Sequence, residues 1–243
     1  MSGAELRLGR WEDVLADVEC DALICDPPYS ARVHSAWSAN ALAGKDGVRV
    51  AVSYMHWGRG DVHRFVADWS PMVRGWMVCL TSHDLVPAWE QAFKAAGRCY
   101  FAPLPCVTIG GSIRMAGDGP SNWTVYAMVA RPRTREMQAW GTLRGAYIES
   151  RSWTMGGGGR GKALGLMRAL VADYSRPGDL VVDPCAGWAS TGVAALTMGR
   201  RFLGSECDPE THAKGAKRLA ETQVVDLFDG GRAVQPGLFE ETR

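Results

Sequence analysis

Asp26-Pro27-Pro28-Tyr29 sets a carboxylate, two rigid rings and an aromatic side chain in four consecutive residues. Proline fixes its own backbone torsion, so the Pro27 carbonyl points in a set direction. A carboxylate and a fixed carbonyl beside an aromatic face suit one chemical problem well. An exocyclic amine on a nucleobase is a poor nucleophile because its lone pair is delocalised into the ring. If Asp26 accepts one N–H and the Pro27 carbonyl accepts the other, the nitrogen moves toward tetrahedral geometry and can attack an electrophile. Tyr29 would then stack on the base, which requires that the base has left its duplex. The plain alternative is a proline-rich turn with no chemistry.

Two further turns carry chemistry of a different kind. Asp183-Pro184-Cys185-Ala186-Gly187-Trp188-Ala189-Ser190-Thr191-Gly192 combines an acid, small residues and the opening of a helix. Small residues let a ligand approach the backbone, and free N–H groups at a helix start favour a carboxylate. Gly204-Ser205-Glu206-Cys207-Asp208 follows about 20 residues later, the offset at which an acid meets a ribose diol. Each turn alone reads as a helix cap. Together they favour an adenosine-bearing cofactor.

These turns need elements to hold them. Short apolar runs at 21–25, 75–80, 123–130, 180–185 and 201–207 read as strands, and 86–97, 162–175, 190–199 and 209–222 as helices. In 162–175, Leu164, Met167, Leu170, Val171 and Tyr174 recur on one face before Pro177-Gly178 stops the helix. Strand and helix in alternation predict an α/β sandwich around a mostly parallel sheet. Ligands in such folds sit at the carboxyl ends of strands where the strand order reverses, and all three turns leave predicted strands.

The segments 26–30, 183–196 and 200–210 resemble the signature motifs of the S-adenosylmethionine-dependent DNA amino-methyltransferases. The catalytic motif precedes the cofactor motif, the order of the β class, and the resemblance covers roughly residues 5–220. It implies a Rossmann-like methyltransferase sandwich with a mostly parallel, mixed sheet. It also implies S-adenosylmethionine as cofactor, DNA as partner, and direct in-line methyl transfer to adenine N6 or, less often, cytosine N4. Asp26, Pro27, Pro28 and Tyr29 then form the catalytic turn. Asp183, Pro184, Cys185, Ala186, Gly187, Ser190, Thr191, Glu206 and Cys207 contact the cofactor, with Lys162 holding its methionine end. Asp rather than Ser at position 26 leans toward adenine. An RNA target and a non-catalytic subunit that keeps the fold remain the rival readings. The chain departs from the family pattern at Trp188 and at Ala189, which stands where a glycine is usual, so the pocket floor is expected to be tighter or shifted. The usual Lys-Pro is Lys162-Ala163 here.

The whole sequence bounds these readings. Its 243 residues, 47% hydrophobic and 22% charged, suffice for one core and exclude a disordered or fibrous chain. Residues 1–222 are expected as a single domain in which 103–160 is a short target-recognition insert, and 223–243 as a flexible tail. Seven unpatterned cysteines read as reduced thiols, no metal spacing appears, and no apolar run is long enough to span a bilayer, so a cytoplasmic location is expected. Residues 131–162 carry a local excess of five positive charges, against an excess of four negative charges elsewhere. Arg131, Arg133, Arg135 and Arg144 are therefore candidate phosphate contacts, with Arg32 and His34 beyond Tyr29. Trp37 and Trp57 are candidate stacking residues. Gly156-Gly157-Gly158-Gly159-Arg160-Gly161-Lys162 nearly spells a P-loop, but Ala163 removes the metal-binding hydroxyl, and a glycine hinge is the better reading. Near the end, Gln235-Pro236-Gly237-Leu238-Phe239 resembles the Gln-x-x-Leu-Phe peptide by which bacterial replication proteins grip the sliding clamp. A clamp contact through Gln235, Leu238 and Phe239, and a homodimer, are the further partners the sequence admits.

Overall fold

The computed structural model describes residues 3–33, 56–109, 122–150 and 162–222, together with the short strands Val224–Val225 and Ala233–Val234. The candidates His34 and Trp37, the glycine run at 156–161, and Gln235, Leu238 and Phe239 fall outside the described residues.

Among the described residues nine strands make one sheet. In chain order they are β1 (Ala4–Leu8), β2 (Ala22–Cys25), β3 (Met77–Thr81), β4 (Cys99–Tyr100), β5 (Leu104–Ile109), β6 (Thr124–Arg131), β7 (Tyr147–Ser150), β8 (Leu180–Asp183) and β9 (Arg201–Glu206). Their order across the sheet is β1-β9-β8-β2-β3-β6-β5-β7, with β4 also paired to β6. The first five in that order are mutually parallel, while β6 runs antiparallel to β3, β4 and β5. The sheet is mixed, as expected.

Strands β2 and β3 are buried along their whole length. That is why ALIC and MVCLT read as continuous apolar runs, the mark of a sheet covered on both faces. Alternate residues feed two cores. Ile24, Val78 and Leu80 pack with Leu166, Met167, Leu170 and Val171 of α5 (Leu164–Tyr174) and with Val193 of α6 (Ser190–Leu196). Leu23, Cys25, Met77 and Cys79 pack with Val62, Phe65 and Val66 of α2 (Arg59–Trp69) and with Trp89 and Phe93 of α3 (Val86–Ala95). The remaining helices are α1 (Trp11–Val14), α4 (Arg135–Gln138) and α7 (Pro209–Ala220). Asp208 opens α7 by accepting a hydrogen bond from the Thr211 amide at 2.8 Å, with Pro209 at its first position.

The crossovers leave β2 and β8 in opposite directions. From β2 the chain passes through α2 to β3 on one side, and from β8 it passes through α6 to β9 on the other. The carboxyl ends of these two neighbouring strands therefore flank the point where strand order reverses, the place where an open α/β sheet leaves a crevice. No helix of the described residues is long and apolar enough to cross a membrane. The segment expected as a free tail contains one antiparallel pairing, Val224–Val225 with Ala233–Val234.

Candidate active site

Register brings the first two turns together. Leu23 stands beside Val182, so the chain leaves β2 at Asp26 and β8 at Asp183 side by side. In the first turn the Tyr29 hydroxyl donates to Asp26 Oδ1 at 2.9 Å. Lys162 Nζ donates to the Tyr29 hydroxyl at 2.7 Å, lies 3.2 Å from Asp26 Oδ2 and sits 4.6 Å from the Tyr29 ring centroid. The Trp57 amide donates to the Tyr29 carbonyl at 3.0 Å, and Pro27 is buried while Asp26, Pro28 and Tyr29 are half-buried. Burial, with Asp26 close by, pushes the Tyr29 phenol well above its ordinary value, so it stays a proton donor. The result is a carboxylate whose direction is fixed by two donors, with one partner on each oxygen among the described residues.

The second and third turns interlock. Asp183 is buried; its Oδ1 accepts the Cys185 amide at 3.0 Å and its Oδ2 the Thr191 hydroxyl at 2.5 Å. Burial raises its carboxyl to about 7 against those two hydrogen bonds, with Asp26 and Glu206 adding repulsion. Glu206, also buried, accepts the Gly187 amide at 3.0 Å on one oxygen and the Asp208 amide at 2.8 Å on the other. The Ala186 amide donates to the Ser205 carbonyl and the Ser205 hydroxyl to the Pro184 carbonyl, locking the two turns together. Gly187 has φ 53° and a Cβ there would meet nothing within 4 Å, so the loop borders open space. Cys185 is half-buried and Cys207 exposed; burial raises both thiols, which argues against a thiolate nucleophile.

Not every expected residue joins this cluster in its expected role. Lys162, expected at the methionine end of a cofactor, meets Asp26 and Tyr29. The Ser190 hydroxyl accepts a bond from Arg218 at 2.9 Å, and the Thr191 hydroxyl is committed to Asp183. Trp57 does not stack in the crevice: its ring is core, 5.1 Å from Phe65 and 6.4 Å from Trp89. Arg32 lies exposed just beyond Tyr29.

The arginine group is elsewhere. Because β6 is antiparallel to β3, Tyr126 stands beside Thr81 at the crevice end and Arg131 lies past Met77 at the opposite end. Arg133 reaches the Gly97 carbonyl, Arg135 begins α4, and Arg144, ahead of β7, pairs with Asp173 at 3.5 Å. None of these four is brought to the crevice.

Two contributors escaped the sequence reading. Arg218 also donates to the Trp188 carbonyl at 3.1 Å, and Lys214 lies 5.8 Å from the Trp188 ring, so α7 grips the loop from behind. Trp188 is thus turned toward α7, and Ala189 accepts the left-handed conformation, φ 54°, that a glycine would take more readily. Nothing in the spacing of Arg218 or Lys214 signals this; both read as the polar face of an amphipathic helix.

Comparison with known proteins bears on the family and the fold. The family model described as DNA methylase matches residues 161–217. The DNA adenine methyltransferase YhdJ of Escherichia coli (strain K12) is 40% identical over 58 residues, 24% of this chain and 20% of YhdJ. The matches to curated relatives span 30% of their length or less. In fold, the chain is similar to the M1.HpyAVI–SAM complex, with a TM-score of 0.65 at 18% identity over 89% of this chain and 99% of the other. It is also similar to the PvuII DNA methyltransferase, cytosine-N4-specific, with a TM-score of 0.63 at 13% identity over 88% and 86%. The chain therefore has the Rossmann-like fold of the DNA methyltransferases, and its residues 161–217 carry the sequence pattern of the DNA methylase family.

Proposed function

We propose that the chain transfers the methyl group of S-adenosylmethionine to an exocyclic amine of DNA, adenine N6 foremost, by direct attack from a flipped-out base. The observation that carries this reading is the Asp26–Tyr29–Lys162 cluster standing beside the buried Asp183 and Glu206 at the carboxyl ends of neighbouring central strands. S-adenosylmethionine, when bound, supplies a methyl group on a positively charged sulfur.

The residues fit that cofactor. Asp26, Asp183 and Glu206 place three carboxylates around one crevice, a field that favours a cation. Gly187, whose amide is held by Glu206, borders open space that a side chain would narrow. Glu206 would accept the ribose hydroxyls, and Asp183 with the backbone of 185–187 would hold the amino-acid end. Ser190, Thr191 and Arg218 keep the loop in shape. On the substrate side Asp26 accepts one amine N–H and the Pro27 carbonyl the other, while Tyr29 holds Asp26 and offers its ring to the base. The Lys162 ammonium, already on Asp26, is also within reach of a cofactor carboxylate entering the same crevice.

Asp at position 26 and the adenine specificity in the name of YhdJ support the N6 reading. Cytosine N4 is the second reading, favoured by the fold's likeness to the PvuII enzyme. Duplex DNA incubated with the protein and isotopically labelled cofactor should yield labelled N6-methyladenine on nucleoside mass spectrometry. Labelled N4-methylcytosine would shift the assignment to the second reading, and no labelled nucleoside would overturn both. Asp26→Ala should abolish transfer while leaving cofactor affinity within about tenfold, because the loss falls on the transition state.

A further inference from the structure

Asp26 Oδ2 and Lys162 Nζ stand 3.2 Å apart, an acceptor beside a donor, with 31% and 25% of their side chains exposed. Both are therefore within reach of a ligand. The Tyr29 phenol keeps its proton and gives it to Asp26 Oδ1, so its oxygen can only accept from Lys162. The Lys162 ammonium has three N–H groups. Tyr29 takes one at 2.7 Å and Asp26 a second, and no third acceptor is bonded to it among the described residues. A carboxylate oxygen accepts more than one bond, so Asp26 can take an amine N–H while it keeps the ammonium beside it.

The backbone that carries this ammonium is anchored. Lys162 lies two residues ahead of α5, and a Cβ on Gly165 in the first turn of that helix would stand 2.5 Å from a Glu149 carboxylate oxygen. Glycine at 165 thus lets a carboxylate of β7 lie against the helix start, whose unpaired amides favour an anion. A flipped base offers its Watson–Crick edge to the pocket that receives it. On that edge adenine and cytosine share one pattern: the amine donates, and the ring nitrogen next to it, N1 or N3, accepts. Thymine and guanine carry the reverse, a carbonyl acceptor next to a ring N–H. Asp26 beside Lys162 complements the first pattern and sets like against like with the second.

We propose that Lys162 is a catalytic residue that donates its third N–H to the ring nitrogen adjoining the target amine, so that Asp26 and Lys162 together read the edge of the flipped base. This role rests on the methyl-transfer reading and adds to it the group that tells amino bases from keto bases. It commits Lys162 to the base and not to the carboxylate of the cofactor.

The test uses the full chain and synthetic duplexes with adenine, 1-deazaadenine or 7-deazaadenine at a position that the protein methylates. Where that base is cytosine, 3-deazacytosine takes the place of 1-deazaadenine. Exchanging N1 for C–H weakens the base pair and enriches the amine in electrons, and both effects favour transfer, so a loss reports the missing contact. With the unmodified protein kcat/KM should fall at least tenfold for 1-deazaadenine, as for a charged donor left without its acceptor, and stay within threefold for 7-deazaadenine. In Lys162→Met, kcat/KM on adenine should fall at least tenfold and the penalty for 1-deazaadenine should shrink below threefold. S-adenosylmethionine affinity by calorimetry should stay within threefold in that variant. If Lys162→Met does not fold, the analogue series on the unmodified protein decides. No transfer to any unmodified duplex would defeat the methyl-transfer reading itself. Equal rates on adenine and 1-deazaadenine, or a loss confined to 7-deazaadenine, would overturn this role alone. So would a tenfold loss of S-adenosylmethionine affinity in Lys162→Met, which places the ammonium on the cofactor.

Discussion

Asp183 is held by two donors and still has its carboxyl raised to about 7, because burial and the neighbouring Asp26 and Glu206 outweigh those bonds. An acid whose folded value lies above its unfolded value, about 3.9, binds its proton more tightly when folded. Stability therefore falls as pH rises from about 4 to about 7, and above that window the full cost of the buried charge is carried. That same charge is what a cationic cofactor needs. S-adenosylmethionine affinity, measured by calorimetry, should rise by about tenfold from pH 6 to pH 8 as Asp183 ionises. In Asp183→Asn the rise should vanish, and the melting temperature at pH 8 should exceed that of the unmodified chain. A pH-independent affinity in the unmodified chain would remove Asp183 from the cofactor's surroundings. Residue types and spacing were enough to single out Asp26, Asp183 and Glu206. They could not show that Lys162 belongs with Asp26, because 136 residues separate the two and only the β2–β8 pairing with the start of α5 brings them together.

At the scale of elements, the buried parallel strands and the helices that cover them, α2 excepted, were legible, because a strand buried on both faces has no choice but to be continuously apolar. The boundaries moved by up to three residues, as with α6, expected at 190–199 and found at Ser190–Leu196. The helices α1, α2 and α4 went unread, and the strands that did are edge or short ones: β1, with Arg7 and Glu5 on its exposed side, the two-residue β4, and β5 and β7 at the far edge. Their patterns are half polar, and only pairing in three dimensions makes them strands. The loop after β8 shows how a helix holds a site from outside. A Cβ on Gly215 of α7 would stand 2.8 Å from the Gly187 carbonyl. Gly215→Ala must therefore displace loop backbone, and it should weaken cofactor binding at least fivefold while leaving helix content by circular dichroism unchanged. Ala189 makes the complementary case. Its left-handed backbone costs about 1–2 kcal/mol for a residue with a Cβ, while its fully buried methyl returns about 0.8 kcal/mol. Ala189→Gly should change unfolding free energy by less than about 1 kcal/mol, whereas the β-branched Ala189→Val should cost more than about 2 kcal/mol in chemical denaturation.

At the scale of the whole molecule, the parallel part of the sheet has a chemical end and a structural end, and linear charge does not reveal which one a residue occupies. Arg131, Arg133, Arg135 and Arg144 form one basic stretch in sequence, yet the reversed direction of β6 carries that stretch to the structural end. The five residue steps from Tyr126 to Arg131 alone span about 17 Å of strand. A duplex that delivers a base to Asp26 therefore meets Arg32, exposed beyond Tyr29, before it meets any of the four. Salt dependence separates these positions, since each phosphate contact contributes about 0.9 to the slope of log K against log salt. Arg32→Gln should lower the slope for duplex binding by about one, measured by fluorescence anisotropy across a salt series. Arg133→Gln combined with Arg135→Gln should leave the slope unchanged. A fall of nearly two in that double variant, with Arg32→Gln silent, would place the duplex across the amino end of the sheet and detach DNA binding from the crevice that the Asp26–Tyr29 turn occupies.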